Sequence, residues 1–316
     1  MIYFSAFLIV FIIVYSLIPH LRTLAFKLDF VDKPTERKKH IEPIPLLGGL
    51  GIFIGFISGY LIFIRPINTK FIAILISSFL ILSIGLVDDW YKTRSKEFPV
   101  SPRLVIQILS AIIVYKAGIV FYGFTNPFTY TYVLLPVWLQ FILSVTWILG
   151  VTTVINWSDG MDGLAGSLSA ISASTLFVVA LAKDQHASAM MAILLIGAAL
   201  GFLKYNKHPA QIFMGDSGAN FLGFILGIIA LDGAFKQATL ISIFIPILAL
   251  GVPIFDNIFV IIRRFLDGKP IYKADATQIH HRLLSTGLNQ KQVVTTISLL
   301  SVCLSLLSII LLLLKV

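Results

Sequence analysis

Long apolar stretches separated by short polar ones dominate the chain. A membrane-crossing helix needs roughly 20 mostly apolar residues. Predicted spans cover about 2–19, 46–65, 70–87, 104–121, 134–155, 164–182, 187–203, 218–233, 238–262 and 293–314. The eighth is short, and Pro246 and Pro253 predict a kink in the ninth. The pattern therefore predicts an all-α polytopic transmembrane bundle of ten spans that forms one domain over residues 1–316.

The composition favours a membrane protein over a soluble or nucleic-acid-binding one. The chain is 58% hydrophobic and 12% charged, whereas soluble domains have about 25% charged residues. A net charge of +9 could indicate a nucleic-acid partner, but the basic residues lie in short loops where they face lipid headgroups. We therefore expect a bilayer and no nucleic acid. The apolar N-terminus has no preceding positive segment, which favours an uncleaved first span.

The charged residues also predict sidedness. Of the 24 Lys and Arg residues, 18 follow odd-numbered spans, so the positive-inside rule places those loops in the cytoplasm and both termini outside. The predicted cytoplasmic loops are 20–45, 88–103, 156–163, 204–217 and 263–292. Thirteen of the 15 acids fall on the same side. Because acids contribute little to topology, this bias favours an active site on the cytoplasmic face.

Two adjacent acids, Asp88 and Asp89, end the third predicted span in the stretch LVDD. Adjacent carboxylates repel each other, which raises the pKa of at least one unless a cation lies between them. Acids at a helix C-terminus also oppose the helix dipole. A catalytic or metal-binding role is therefore favoured over a polar cap.

Three further acids lie in short stretches on the same predicted face. In NWSDGMDGLAG, Asp159 and Asp162 are three residues apart and would share one face at the start of the sixth helix, one turn after Asn156. In FMGDSG, Asp216 lies between glycines that allow a tight turn near an anion. Helix capping remains an alternative for these acids.

The longest polar stretch contains IHHRLL, with His280, His281 and Arg282 in succession. These potential donors suit a pyrophosphate or sugar hydroxyls. A zinc site is less consistent with them because no cysteine lies nearby. Asp256 within the ninth span is either functional or a structural partner of a residue such as Arg263.

Five acids from three separate loops, with basic residues beside them, have the chemistry that phosphoryl transfer needs. Magnesium binds proteins through one or two carboxylates plus substrate phosphates. Some of the five must therefore serve the nucleotide or the nucleophile instead of the metal.

The motifs LVDD, NWSDGMDGLAG, FMGDSG and IHHRLL occur in this order and spacing. Together they resemble those of the polyprenyl-phosphate N-acetylhexosaminyl-1-phosphate transferases, over nearly the whole chain. The resemblance implies transfer of a sugar 1-phosphate from a UDP-sugar to polyprenyl (undecaprenyl) phosphate, with release of UMP, as the first membrane step of envelope glycan synthesis. It also implies a Mg²⁺ cofactor, with Mn²⁺ as a substitute, and a multi-pass protein of the cytoplasmic (inner) membrane.

The resemblance also implies roles for individual residues. Asp216 would be the main magnesium ligand, with Asp159 on the nucleotide and metal side. Asp88 would activate the lipid phosphate, supported by Asp89. The implied substrate-binding residues are Asn156, Asp162, His280, His281 and Arg282. Direct attack by the lipid phosphate is favoured over a covalent aspartyl intermediate, because magnesium and cations already stabilise the developing charge.

The sequence leaves alternatives open. The Ile-His-His-Arg form resembles N-acetylglucosamine-type enzymes, whereas muramoyl-pentapeptide enzymes usually have three histidines, so UDP-MurNAc-pentapeptide or another UDP-N-acetyl sugar is the alternative donor. Thr153 replaces an asparagine that the family often has, which weakens any inference about sugar selectivity. An ion-coupled transporter would need acids near mid-membrane, and the CDP-alcohol phosphotransferase motif does not match. A homodimer is one option for assembly.

Overall fold

The computed structural model describes residues 1–34, 42–126, 129, 131–234, 243–268 and 277–314. Parts of the predicted loops 20–45 and 263–292, and the beginning of the predicted ninth span, lie outside the described residues.

Helices account for most of the described chain, and a π-helical turn, Ala230–Ala234, directly follows the eighth of them. The α-helices are α1 Ile2–Lys27, α2 Gly48–Phe63, α3 Thr69–Thr93, α4 Val100–Lys116, α5 Val137–Trp157, α6 Leu164–Ala182, α7 His186–Asn206, α8 Gly215–Ile229, α9 Phe244–Ala249, α10 Gly251–Leu266, α11 Ile279–Ser285 and α12 Gln290–Leu313.

Six of these helices are long and apolar enough to cross a membrane, namely α1, α3, α5, α6, α7 and α12. Helix α2 is also apolar but has only 16 residues. The all-α membrane bundle is therefore confirmed, whereas the count of ten spans and the outward termini stay predictions. The predicted ninth span is divided at Leu250 into α9 and α10, between the two prolines that predicted the kink.

Two short antiparallel strand pairs were not predicted. Strand β1, Val31–Asp32, pairs with β2, Ile44–Pro45. Strand β3, Gly123–Thr125, pairs with β4, Tyr132–Leu134. The predicted start of the fifth span at 134 was wrong because Leu134 belongs to β4, and an apolar strand residue beside an apolar helix gives no change in the hydrophobic pattern.

Helix α8 lies at the centre of the bundle, and all of its residues except Asp216 are buried. It packs against α3, α5 and α2. At Gly85 of α3 the two backbones approach so closely that a side chain would collide with the backbone of Ser217. This contact fixes the start of α8 against the end of α3, where the predicted site residues lie.

Candidate active site

A cavity of about 1250 Å³ opens at one end of the bundle. Its walls come from the C-terminal ends of α1, α3 and α7, the loop after α5, the start of α8, and the α11–α12 region. The predicted site residues that line it are Asp89, Asp159, Asp162, Asp216 and His281. The other predicted residues, Asp88, Asn156, His280 and Arg282, are absent from its lining.

Asp216, in the first turn of α8, has the most charged contacts in the site. Its Oδ1 is 2.7 Å from Nζ of Lys92 and accepts a 3.2 Å hydrogen bond from Asn156 Nδ2. Its Oδ2 is 3.2 Å from a guanidinium nitrogen of Arg103. Burial alone would raise the pKa of the Asp216 carboxyl, but Lys92, Asp88 and Arg103 hold that pKa well below its usual range. Asp216 is therefore ionised at neutral pH.

The acids at the end of α3 lie in different environments, although both are buried. Asp88 accepts a 2.6 Å hydrogen bond from the same Arg103 that contacts Asp216. Asp89 accepts backbone hydrogen bonds from Asp216, at 2.7 Å, and from Ser217, at 3.0 Å. Asp89 thus caps the start of α8 and fixes where Asp216 lies.

Asp162 is held by the segment between α7 and α8. Its carboxylate is 2.7 Å from His208 Nδ1 and accepts a 3.1 Å hydrogen bond from the Ala210 N–H. The prediction that Asp159 and Asp162 share a helix face was wrong, because α6 begins only at Leu164. Gly163, immediately before Leu164, has a left-handed φ of +76°, a value outside the range of a right-handed α-helix.

Asp159, which is half-buried, differs from these paired acids. Within the described part of the chain, no side chain or backbone donor contacts its carboxylate, and it faces the cavity. Burial, and next the charge of nearby Asp216, raise the pKa of Asp159 to about 7. A carboxylate in this condition is stabilised by a cation from outside the protein.

His280 and His281 lie side by side on α11, with ring centroids 4.3 Å apart. His280 is buried against Gly160, where any side chain would collide with the imidazole ring. Burial, and next the charge of His281, lower the pKa of His280 to about 4, so its ring is neutral at neutral pH. His281 instead lines the cavity.

Arg282 points away from the cavity, toward α10. Its guanidinium is 3.2 Å from Asp256 Oδ1 and lies 4.2 Å from the ring centroid of Phe259. The partner of Asp256 in the structure is thus Arg282 and not the suggested Arg263. Arg282 does not line the cavity, and its role in substrate binding stays a prediction.

Four residues of the site were missed by the sequence analysis. Lys92 is one turn after Asp89, and that spacing could have revealed it. Arg103 was assigned to a loop, although α4 already begins at Val100. His208 and Asn206 hold the 156–163 loop from a distant part of the sequence: Asn206 accepts a 3.0 Å hydrogen bond from the Gly163 N–H. No local pattern marks such a contact.

The donor set is compatible with magnesium. In the described residues, no three acids, histidines or cysteines lie close enough to form a complete metal cage. Magnesium does not need one, since it binds through one or two carboxylates with waters and substrate phosphates. Asp216 and Asp159 supply two carboxylates near one cavity, and no hydrogen-bond donor among the described residues contacts the Asp159 carboxylate. Zinc would prefer histidine or cysteine ligands, and His280 packs on Gly160 instead.

A bundle of membrane-length helices with an acid-lined cavity at one end defines a multi-pass membrane protein with a polar site. Residues 71–234 match the glycosyl transferase family 4 model. The chain belongs to this family, and is therefore a transferase of glycosyl or phospho-sugar groups, as the motifs predicted.

Three relatives with named activities align with this chain over most of their length. The chain is 40% identical to a probable undecaprenyl-phosphate N-acetylglucosaminyl 1-phosphate transferase of Bacillus subtilis, over 97% of this chain and 84% of the relative. It is 31% identical to the decaprenyl-phosphate N-acetylglucosaminephosphotransferase of Mycolicibacterium smegmatis, over 91% and 77%. It is 27% identical to the phospho-N-acetylmuramoyl-pentapeptide-transferase of Bacillus thuringiensis, over 88% and 87%.

Proposed function

We propose that the protein transfers N-acetylglucosamine 1-phosphate from UDP-N-acetylglucosamine to undecaprenyl phosphate and releases UMP. The observation that carries this proposal is the 40% identity, over 97% of the chain, to a relative named for that transfer. The lower identity to the muramoyl-pentapeptide enzyme makes UDP-MurNAc-pentapeptide the second candidate donor.

The proposed reaction is one displacement at phosphorus. An oxygen of the lipid phosphate attacks the β-phosphorus of the donor, which forms a new pyrophosphate bond. The bond from that phosphorus to the bridging oxygen breaks, and the electron pair leaves with UMP. Because a phosphate monoester has a second pKa near 6, the attacking phosphate is mostly dianionic at neutral pH and needs little help from a base.

Asp88 would act near the lipid phosphate in this proposal, with Asp89 supporting it. The 2.6 Å contact between Asp88 and Arg103 favours an electrostatic and orienting role over covalent attack, because a paired carboxylate is a weaker nucleophile. A phosphorylated Asp88 trapped by rapid quenching would establish the covalent alternative instead.

The residues that would hold Mg²⁺, or Mn²⁺ in its place, are Asp216 and Asp159. When bound, such an ion neutralises charge on the pyrophosphate. Lys92 and Arg103 already surround Asp216, and both can donate to phosphate oxygens once the substrates enter. These cations would stabilise the negative charge that spreads over the transferred phosphoryl group.

The donor would lie in the cavity between the 156–163 loop and α11. Asp162 and His281 line this space, Asn156 contacts Asp216 beside it, and His280 supports the loop from behind. Arg282 would contribute indirectly, through Asp256.

We place the cavity at the cytoplasmic face of the bacterial inner membrane, with both termini outside. The cavity is lined by the loops in which the basic residues concentrate, and the relatives compared are bacterial. A homodimer is compatible with the extensive apolar outer surface.

A donor panel tests the proposal. Purified protein in detergent is given undecaprenyl phosphate, Mg²⁺ and one UDP-sugar at a time, and UMP is measured. We expect UMP with UDP-N-acetylglucosamine only when the lipid phosphate is present. If UDP-MurNAc-pentapeptide is the one donor in the panel that yields UMP, it is the donor of this enzyme. Absence of UMP with every UDP-N-acetylhexosamine would contradict the transferase reaction.

A further inference from the structure

We propose that Asp256 is a positioning residue that seats α11 so that His281 faces the cavity, and thereby sets the affinity for the sugar nucleotide. This inference rests on the proposed function. Asp256 lies on α10 and does not line the cavity, so it acts through α11 without touching a substrate.

Asp256 holds α11 at two points with one oxygen. Its Oδ1 accepts a 2.9 Å hydrogen bond from the Ile279 N–H, the first residue of α11, and lies 3.2 Å from the Arg282 guanidinium one turn later. The first N–H groups of a helix have no partner within the helix. A carboxylate at this end also interacts favourably with the helix dipole.

Because Asp256 is nearly buried, its ion pair with Arg282 contributes to stability. Its side chain is only 9% exposed, and a buried carboxylate is costly unless it is paired and hydrogen-bonded. The Arg282 guanidinium also stacks on Phe259, one turn after Asp256 on α10. The charged groups that face Asp256 therefore come from α11, namely Arg282 and next His281.

The other contacts of α11 fix its remaining directions. Gln278, just before the helix, donates a 2.7 Å hydrogen bond to the Trp157 carbonyl at the end of α5. Ile279 and Leu283 pack into an apolar cluster with Val252 of α10 and Met161 of the 156–163 loop. Apolar contacts permit sliding, whereas the Asp256 contacts define the rotation that presents His281 to the cavity.

Two parts of the site therefore have separate roles: α11 binds the donor, and the acids carry out the chemistry. The acids proposed for chemistry lie on α3, α8 and the loop after α5, and none contacts Asp256 in the described residues. Loss of the Asp256 anchor should therefore release α11 and His281 and leave the acids of α3 and α8, namely Asp88, Asp89 and Asp216, in place. We expect the KM for the donor to rise, while the KM for the lipid phosphate stays unchanged.

The experiment measures steady-state kinetics for both substrates in the full-length protein. Asp256→Asn still accepts the Ile279 hydrogen bond but loses the charge of the pair, so we expect an increase of about threefold to tenfold in donor KM. Asp256→Ala loses both contacts and should raise donor KM more than about tenfold, with kcat within about threefold of wild type. Arg282→Met should act like Asp256→Asn and add little to Asp256→Ala.

Asp232→Asn is the matched control. Asp232 is also an ion-paired, partly buried acid, 2.6 Å from Lys70, but it lies beyond the far end of α8. This variant should lower the thermal unfolding temperature and leave both KM values unchanged. Thermal unfolding of every variant identifies those that fail to fold. Asp256→Asn keeps the hydrogen bond from the Ile279 N–H, so we expect it to fold and its kinetics to be measurable.

Two outcomes would overturn the inference. One is unchanged donor KM in folded Asp256→Ala, and the other is an equal rise of both KM values in Asp256→Asn. Failure of the proposed function would look different, because the wild-type protein itself would release no UMP.

Discussion

At the scale of single residues, Asp216 connects most of the site. It contacts Lys92, Arg103 and Asn156, and its backbone N–H is held by Asp89. A group with so many ordered partners is preorganised, and preorganised charge stabilises a transition state without reorganisation at the moment of reaction.

Asp216→Asn should reduce UMP release by about a hundredfold or more, because it removes the negative charge that orders the cations and supports metal binding. The amide has the same size but no longer pairs with the charges of Lys92 and Arg103, so the unfolding temperature should fall, as it should in Asp232→Asn. Asp232→Asn is the control and should keep its activity. Activity near the wild-type level in Asp216→Asn would move the proposed metal site to the remaining acids.

Gly160 provides a second test, by size alone. A methyl group there would meet the buried His280 ring, whereas a methyl group at Gly150 of α5 meets nothing within 4 Å. Gly160→Ala should lower kcat/KM by about tenfold or more, since small displacements near reacting groups are costly. Gly150→Ala should leave activity unchanged and keep or raise the unfolding temperature. Equal activity of the two variants would contradict the proposed His280 packing.

His280 predicts a pH dependence of stability. Its folded-state pKa of about 4 lies below the ordinary histidine value of 6.5, so between these values the unfolded chain binds more protons than the folded one. Stability then rises with pH across this window and falls as pH drops through it. The contribution is at most about 3 kcal/mol.

Thermal unfolding between pH 4 and 7 measures this effect. His280→Gln should flatten the dependence, whereas His20→Gln, at an exposed position on α1, should not. A wild-type slope that survives in His280→Gln would assign the dependence to other groups.

The acids of the site could be predicted because carboxylates beside apolar segments are rare and expensive. The cations could not be predicted as easily. Lys92 and Arg103 have the same appearance in sequence as the basic residues that set topology. Only the packing of α3 onto α8, and of α4 onto α3, brings them to Asp216. Arg282 had the right chemistry for a substrate contact, but Asp256 takes it to the other side of α11.

At the scale of elements, α4 and α8 contact each other through two successive polar pairs. Arg103 pairs with Asp216, and one turn further along both helices Gln107 donates a 3.1 Å hydrogen bond to Asn220. The Gln107 and Asn220 side chains are buried. The deeper pair therefore aligns the two helices so that Arg103 reaches the site.

Replacement of one partner of this deeper pair should lower the free energy of unfolding more than replacement of both. Gln107→Leu leaves Asn220 without its donor, which we expect to destabilise by about 1–3 kcal/mol. The double variant Gln107→Leu with Asn220→Leu should recover part of that loss, because no buried amide is then left unpaired. Denaturation in detergent measures the effect. Additive losses in the double variant would contradict a direct contact.

The hydrophobic pattern predicted the long helices well, because membrane-length apolar segments are unambiguous. It could not identify α11, a seven-residue helix in a polar stretch, or the two-residue strands β1 and β2. Such elements are stabilised by contacts that are distant in sequence, as the hydrogen bond from Gln278 to Trp157 illustrates.

At the scale of the whole molecule, charge is concentrated at one end of an apolar bundle. The cavity lies where the C-terminal ends of α1, α3 and α7 meet the start of α8. At the other end of α8, the Lys70–Asp232 pair connects α3 to the π-helical turn. A water-soluble sugar nucleotide and a lipid phosphate can therefore meet at a single face, as a transfer between them requires.

The fate of the β-phosphate tests the central claim most directly. Purified protein receives undecaprenyl phosphate, Mg²⁺ and UDP-N-acetylglucosamine labelled with ³²P at the β-phosphate, and the products are separated into organic and aqueous phases. Transfer of the sugar 1-phosphate predicts that the label enters the lipid fraction while unlabelled UMP appears in equal amount. Label that stays in the aqueous phase as UDP, with the sugar alone attached to lipid, would contradict the account.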